Sequence, residues 1–586
     1  MSCDEDLFAE FFDGLEVRLG FGGIGNFRGR SDYTKDEKTV LAHFFTNTES
    51  NVYCAKDNMP SELWAQLMGQ YARSDQTVRD RLLKLFNDVK DEDKSGKVSS
   101  LEEIAGLIRR EGDVGEALKS HLKRAGEWIE KYGIDYGHAS LRDSGIIRIC
   151  FEGVSQRATK PLERAREGAY QEQSTRATPF KKENLAVPFE IRGTFFEKEM
   201  LVLGDEAIAL YDKVFEKAQK YLRKKYGHLI DEADDTIRRE LNDVNANLPD
   251  VLWNGVVREK AFDLARSLLP QNITTSLGMT MNTRRFMDML TEWQSSELAE
   301  VRILGRVAQL EAMKISPTLM KHGGRSEFVA SQPEIRRELF NKMVDSPQIT
   351  YENTPLKSEM ISHTPKLEEN ILASILFHGS NGSISFDNLI GKVFSMNAEQ
   401  KREIAMSYVG DMGVHDLFEK VAEVGNVTFE RVYDIGAMRD LQRQRGDRQQ
   451  LGNYTVVGYH MRPEIEEIGL KKEFEELMNK VKELHDKMKE VGYHIAAEYV
   501  PLMANTIRHV VTKDPVQCFY EAELRTQAAG ADSYREIALQ EIKQVLDVLP
   551  SFRGLIPYDE KIHPLNRLNE KVNGYIRDQK RKRGLS

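Results

Sequence analysis

Long helical segments with a 3.6-residue apolar period outnumber the short β-branched runs, and the order of features repeats loosely after residue 366. Together these observations predict an α+β protein of two diverged homologous halves, each a mixed sheet with abundant flanking helices, helix-dominated overall. A chain of 586 residues is also too long for a single core. Residues 1–35 read as an irregular lead segment, 36–332 as the first repeat, 333–365 as a connection, 366–560 as a second, more degenerate repeat, and 561–586 as a basic C-terminal tail.

Taken in order, T-V-L-A-H-F-F-T-N-T (Thr39 to Thr48) reads as a strand, and mostly helical segments follow as far as Lys131. Ile146 to Phe151 is a short, β-branched, buried strand, and Glu199 to Leu203 is strand-like. Asp205 to Leu269 and Phe286 to Ile315 are helical, with Pro317 as a stop. Prolines and serines between Pro333 and Pro365 mark the connection. Ile371 to His378 then corresponds to the early strand and Asn426 to Tyr433 to the middle one. The ending R-D-Q-K-R-K-R (Arg577 to Arg583) reads as a mobile, solvated tail. G-F-G-G-I-G (Gly20 to Gly25) matches G-x-G-x-x-G formally, but no strand leads into it and N-F-R-G-R-S is a poor helix start; it reads as a glycine loop.

Apolar residues at 40% and charged residues at 30% suit a globular chain. A net charge of −10 opposes general nucleic-acid binding, while leaving room for a local basic pocket. Four scattered cysteines offer neither a zinc spacing nor a disulfide framework and suit a reducing interior. The N-terminus has no basic, apolar signal segment and no apolar run reaches membrane-spanning length, so the expected location is cytoplasmic.

The densest chemistry lies in R-A-R-E-G-A-Y-Q-E-Q-S-T-R (Arg164 to Arg176). Arginine forks match phosphate oxygens, and Glu, Gln and Ser supply groups that read a sugar or a base edge. On composition alone, a solvated helix face with charge pairs is the plainer account. Arg164 and Arg166 can share one phosphate only if the backbone is extended or turning, because residues two apart diverge on a helix.

The order of those residues resembles the signature of the flavin-dependent thymidylate synthases (thymidylate synthase complementing protein), R-H-R-x-x-S-x-N-E-x-S-x-R-Y, and more closely a long, duplicated branch with Y-x-E-Q-S-T-R. Arg164, Arg166, Glu172, Ser174 and Arg176 fall on its positions. G-H-A-S (Gly137 to Ser140) and F-E-G-V-S (Phe151 to Ser155) add to the likeness. The resemblance implies FAD, with a folate one-carbon donor and NADPH as co-substrates, acting on uracil carbon five of a pyrimidine nucleotide such as dUMP. It implies nucleotide binding by Arg164, Arg166, Glu172, Ser174 and Arg176, and by Arg525 in a late segment, E-L-R-T-Q-A-A-G-A-D-S-Y-R. It implies cofactor binding by His138 and Asn282, and makes Arg443 and Arg445 the second-half candidates. No protein nucleophile is required, and no catalytic residue is assigned. Ala165 and Gln444 stand where the signature has histidine, Ser144 and Lys420 where a flavin-side histidine lies, and Ala531 where a late histidine is common. Family members are tetramers, so a homodimer of this chain would imitate a four-repeat assembly with composite sites. Beside the enzyme stands an alternative: a catalytically silent nucleotide-binding paralogue, acting as scaffold or sensor.

D-E-D-K-S-G-K-V-S-S-L-E (residues 91–102) fits a twelve-residue calcium loop. Asp91, Asp93 and Ser95 offer side-chain oxygens, Lys97 its carbonyl and Glu102 a bidentate carboxylate, with Gly96 at the tight turn. An acidic turn between helices is the plainer account, and a calcium-regulated interaction protein is a third function to test.

Overall fold

The computed structural model describes residue 30 and residues 32–59, 67, 71, 74–87, 101–110, 146–316, 320, 323–344, 356–410, 412–413, 416, 420–565 and 567–584. The chain forms two compact units, one of Met1–Ile208, Pro270–Gln348 and Leu484–Val500, the other of Ala209–Leu269, Ile349–Glu483 and Pro501–Ser586.

The first unit holds a four-stranded sheet of β1 (Val52–Ala55), β2 (Ile146–Ser155), β3 (Ala169–Glu172) and β4 (Thr274–Asn282), in the order β1-β2-β4-β3. All three pairings are antiparallel, where the sequence suggested a mixed sheet. A bulge between Glu152 and Val154 is taken up by Gly153 at φ 69°, a conformation that costs glycine nothing sterically. At the end of β2 the Ser155 hydroxyl accepts from Ala158 N at 3.0 Å and starts the helix Gln156–Leu162. Asn282 does the same after β4, accepting from Arg285 N at 2.8 Å ahead of the helix Thr283–Gln294. Trp293 is packed edge-on against Phe151 and Phe286, its indole donating to Pro161 O at 3.1 Å.

Two expected strands of this half are helical. Thr39 to Thr48 falls largely in the helix Lys35–Phe44, because Thr34 and Glu37 form a capping box that outweighs the β-branched composition. Glu199 to Leu203 lies inside the helix Phe195–Tyr226. The helical expectations for 205–269 and 286–315 correspond to real helices, the latter broken between Gln294 and Ala299.

The second unit repeats the arrangement: β5 (Lys357–His363), β6 (Val427–Asp434), β7 (Arg448–Leu451) and β8 (Thr506–Lys513), in the order β5-β6-β8-β7, again antiparallel throughout. Asp434 caps the helix Ile435–Leu441 and Asp514 the helix Pro515–Arg525, at the places Ser155 and Asn282 hold in the first sheet. Its apolar core gathers Leu372, Val393, Phe429, Phe519, Val545 and Phe552.

Ile371 to His378 is not a strand but part of the helix Leu367–Gly379; the first strand of this sheet is β5, within the segment expected as a connection. β5 is an edge strand with one buried position, Ser358, so its sequence lacks an apolar run. The C-terminal basic residues are ordered rather than mobile. They end the helix Leu568–Lys582, which buries Leu568, Val572 and Ile576, while Lys580 and Arg583 meet Glu240 and Asp243 at 3.0 and 2.8 Å.

Candidate functional site

The first-half arginine cluster is built on the turn from the helix Gln156–Leu162 into β3. The backbone turns here, as a shared phosphate would need, but the two leading arginines part company. Arg164 is 68% exposed, with Glu292 at 3.4 Å. Arg166 folds back, its guanidinium donating to Glu163 O at 2.7 Å and Arg164 O at 3.1 Å. That makes Arg166 a brace for the turn. Tyr170 closes the same turn by donating to Ala165 O at 2.8 Å.

Beyond the turn the chain carries the remaining candidates. Glu172 ends β3, and both Glu172 and Arg176 are buried. Ser174 accepts from Arg176 N at 3.2 Å, which turns the backbone so that Glu172, Ser174 and Arg176 lie within one short stretch off the sheet edge. Asn282 lies on the same sheet, but its carbonyl oxygen is committed to capping; its amide NH2 is the part left to meet a cofactor.

Elsewhere in this unit, at the end of β2, Ser155 Oγ and N donate to Glu300 at 2.6 and 2.9 Å, and Tyr499 OH donates at 3.0 Å. Burial pushes the Glu300 carboxyl up to about 7 against these hydrogen bonds.

In the second unit the loop between the helix Ile435–Leu441 and β7 carries Arg443 and Arg445, both exposed, around buried Gln444. With its amide carbonyl turned toward Arg525, Gln444 accepts from Arg525 Nε at 2.7 Å and from its terminal nitrogen at 3.0 Å. Gln517 accepts from Gly446 N at 3.2 Å, and the Arg525 guanidinium lies 5.5 Å from the Tyr534 ring centre. The structure therefore joins Arg525 to the second-half loop.

Two features of this unit were not foreseen. One is a cleft lined among others by Arg266, Asp434, His460, Arg462 and Ser533. Its cations are already matched: Arg266 meets Asp440 at 2.8 Å, Arg462 meets Asp532, and His460 Nδ1 meets Asp434 at 3.3 Å. Burial alone would raise Asp532, but Arg462 and Lys260 hold it well below the carboxylate range.

The other is a buried ion cluster. Arg431 donates to Glu541 at 2.6 and 2.8 Å and to Glu521 at 2.9 Å. Lys513 donates to Glu521 and Glu541, both at 2.6 Å. Burial works against every charge here, yet Arg431 and Lys513 hold Glu541 low, and the two carboxylates hold Lys513 high. The available signal was a charge set within a β-branched strand, Arg431 beside Glu430 in V-T-F-E-R-V-Y and Lys513 at the end of β8.

His138, Ser144, Gly20 to Gly25, Asp91, Asp93, Ser95 and Lys97 lie outside the described residues; Glu102 is exposed in the helix Leu101–Arg110. Among the described residues no cluster of three or more His, Cys, Asp or Glu is placed to hold a metal ion.

An α+β unit whose arginine-bearing turn feeds the edge of an antiparallel sheet is the class the geometry defines. Residues 86–318 match the family described as thymidylate synthase complementing protein (Thy1). The chain is similar to a UPF0159 protein of Chlamydia pneumoniae, 26% identical over 559 residues, covering 92% of this chain and 98% of that one. A UPF0159 protein of Chlamydia muridarum (strain MoPn / Nigg) is 24% identical over 561 residues, with the same coverage. One of Thermoplasma acidophilum, Ta1429, is 22% identical over 485 residues, covering 78% of this chain and 94% of that one. Among solved structures, a UMP/dUMP methylase PolB from Streptomyces cacaoi bound with 5-Br dUMP is 12% identical, with a TM-score of 0.26, over 35% of this chain and 96% of that one. A likeness that low decides nothing about fold or activity.

Proposed function

We propose that this protein binds a pyrimidine nucleotide such as dUMP, with Arg176, Glu172, Ser174 and Arg164 forming the first-half site. The observation that supports this most is that these residues of the signature fall inside the family-matched span and on one turn and sheet edge. Arg176 takes the phosphate, Glu172 and Ser174 the sugar or base, and Arg164 adds an exposed positive charge. In the second half Arg525, Arg443 and Arg445 form a counterpart around Gln444. In the finer reading the protein methylates uracil carbon five with FAD, a folate one-carbon donor and NADPH. When bound, FAD would supply the reducing equivalents, and the Asn282 amide would donate to it. A homodimer would carry four repeats. Among the described residues no helix is long and apolar enough to cross a membrane.

One observation favours the silent nucleotide-binding paralogue as the second reading. The signature histidine is a buried alanine, Ala165, in one half and a glutamine committed to Arg525 in the other.

Calorimetric titration with dUMP tests the binding site. Arg176→Ala is expected to cost about 1.5–3 kcal/mol, roughly 10- to 150-fold in Kd. An unchanged affinity would remove Arg176 from the site. The visible spectrum of the protein after incubation with FAD and removal of unbound flavin then separates the flavoenzyme, which stays yellow, from the paralogue, which is colourless.

A further inference from the structure

The second-unit ion cluster is already balanced without its fifth member. Arg431 and Lys513 carry two positive charges, and Glu521 and Glu541 two negative ones, joined by five hydrogen bonds. Asp447 adds a third carboxyl to the same interior, fully buried. Neither of its oxygens has a hydrogen-bond partner. The nearest cation is an Arg431 terminal nitrogen at 4.0 Å, which itself makes no hydrogen bond. The groups that reach Asp447 are Arg431 on β6, Lys513 on β8, Glu521 and Cys518 on the helix Pro515–Arg525, and Glu541 on the helix Asp532–Val548. Two of these carboxylates oppose its charge, and the two cations are engaged by those same carboxylates.

Asp447 is also the inner anchor of the loop that carries Arg443 and Arg445. It is the residue before β7, and its neighbours Arg445, Gly446 and Arg448 are exposed. Around it, Gly446 N donates to Gln517 at 3.2 Å, Gln444 contacts Arg525, and Gln449 Nε2 donates to Gln442 O at 2.9 Å.

We propose that Asp447 is a proton-controlled latch on the loop 442–447. With its proton, Asp447 sits in the interior as a neutral group and seats the loop. Without it, the carboxylate is an uncompensated buried charge, which reaches water by lifting the loop and freeing Arg443 and Arg445. Burial and Glu521 push this carboxyl up to about 7, so the change falls within the physiological range. The sign follows from linkage. The seated loop holds the proton to higher pH than the lifted one, where the carboxyl has an ordinary value near 3.9. Opening therefore grows by about tenfold per pH unit between about pH 5 and about pH 7, and levels off above. This holds whatever the loop binds, and does not rest on the nucleotide assignment.

Amide hydrogen exchange of the full-length protein across that range tests it, with rates corrected for the intrinsic pH dependence of exchange. In wild type, peptides covering 442–451 should lose about tenfold protection per pH unit and then plateau. In Asp447→Asn, neutral at every pH, protection should be flat and close to the low-pH wild-type value. A flat wild-type profile, or the same slope in Asp447→Asn, would overturn the latch. If the variant does not fold, infrared spectroscopy of wild type decides: a buried protonated-carboxyl band that fades as the slope flattens supports the proposal, and its absence at low pH refutes it.

Discussion

Replacing Arg431 with methionine is the sharpest perturbation of the second unit. The guanidinium makes three charge-assisted hydrogen bonds, two to Glu541 and one to Glu521, none longer than 2.9 Å, and its side chain is 0% exposed. Methionine keeps the apolar bulk and leaves Glu521 and Glu541 buried with Lys513 alone. Removing one partner of a buried ion pair costs about 3–5 kcal/mol, which corresponds to roughly a 100- to 5,000-fold rise in the opening constant. A multidomain chain gives no single unfolding transition, so the quantity to measure is local. Hydrogen exchange in peptides from β6 and β8 should report the full loss, with β2 and β4 unchanged. Pairing Arg431→Met with Glu541→Gln should cost less than the sum of the two single changes, because the second relieves the charge that the first strands. A loss below about 1 kcal/mol, the range of an exposed pair, would show that water reaches the cluster and that its buried character is misjudged.

Three further outcomes are expected. Glu300 is held up to about 7 by burial, above its unfolded value, so its contribution is full in acid and is lost as pH rises through about 7; Glu300→Gln should flatten this part of the pH profile of hydrogen exchange in peptides from β2 and β4. Gly305→Ala would bring a methyl within 2.7 Å of Trp293 Cβ and 3.2 Å of Gln294 N; the crowding should cost about 1–3 kcal/mol and shift the Trp293 emission. Truncation after Pro564 would remove the ordered C-terminal helix and expose the faces of Leu229–Leu241 and Asp250–Ala265 that it covers; limited proteolysis should then cut near Asn242, which is left intact in the full chain.

The sequence was most legible where local chemistry and fold agree. The middle strands were visible as apolar, β-branched runs, and the helices of 205–269 and 286–315 were long enough for their period to show. Errors fell on short segments. At 39–48 the β-branched and aromatic content misled, although Thr34 and Glu37 carried the capping-box spacing. At 371–378 a run apolar on every side read equally well as strand or buried helix, a known ambiguity of short apolar stretches. The signature marks the turn before β3 but not the tasks of its arginines: whether Arg166 reaches outward or folds back on Glu163 O depends on where the chain turns. The ion cluster was illegible because Arg431, Asp447, Lys513, Glu521 and Glu541 come from five separate elements, and none of them signals the others.

The shared strand order of the two sheets poses a hazard during folding, since each offers a frame that the other's strands would fit. β2 and β6 each bear a buried charge three residues before the cap that follows, and the signs are opposed: Glu152 before Ser155, Arg431 before Asp434. Glu152 is matched to Tyr53 at 2.6 Å and Arg79 at 3.8 Å, while Arg431 is matched to two carboxylates. A strand exchanged into the wrong sheet would set Glu152 beside Glu521 and Glu541, or Arg431 beside Arg79. Opposed buried charges on β2 and β6 would thus penalise any exchange of strands between two look-alike frames in a single polypeptide.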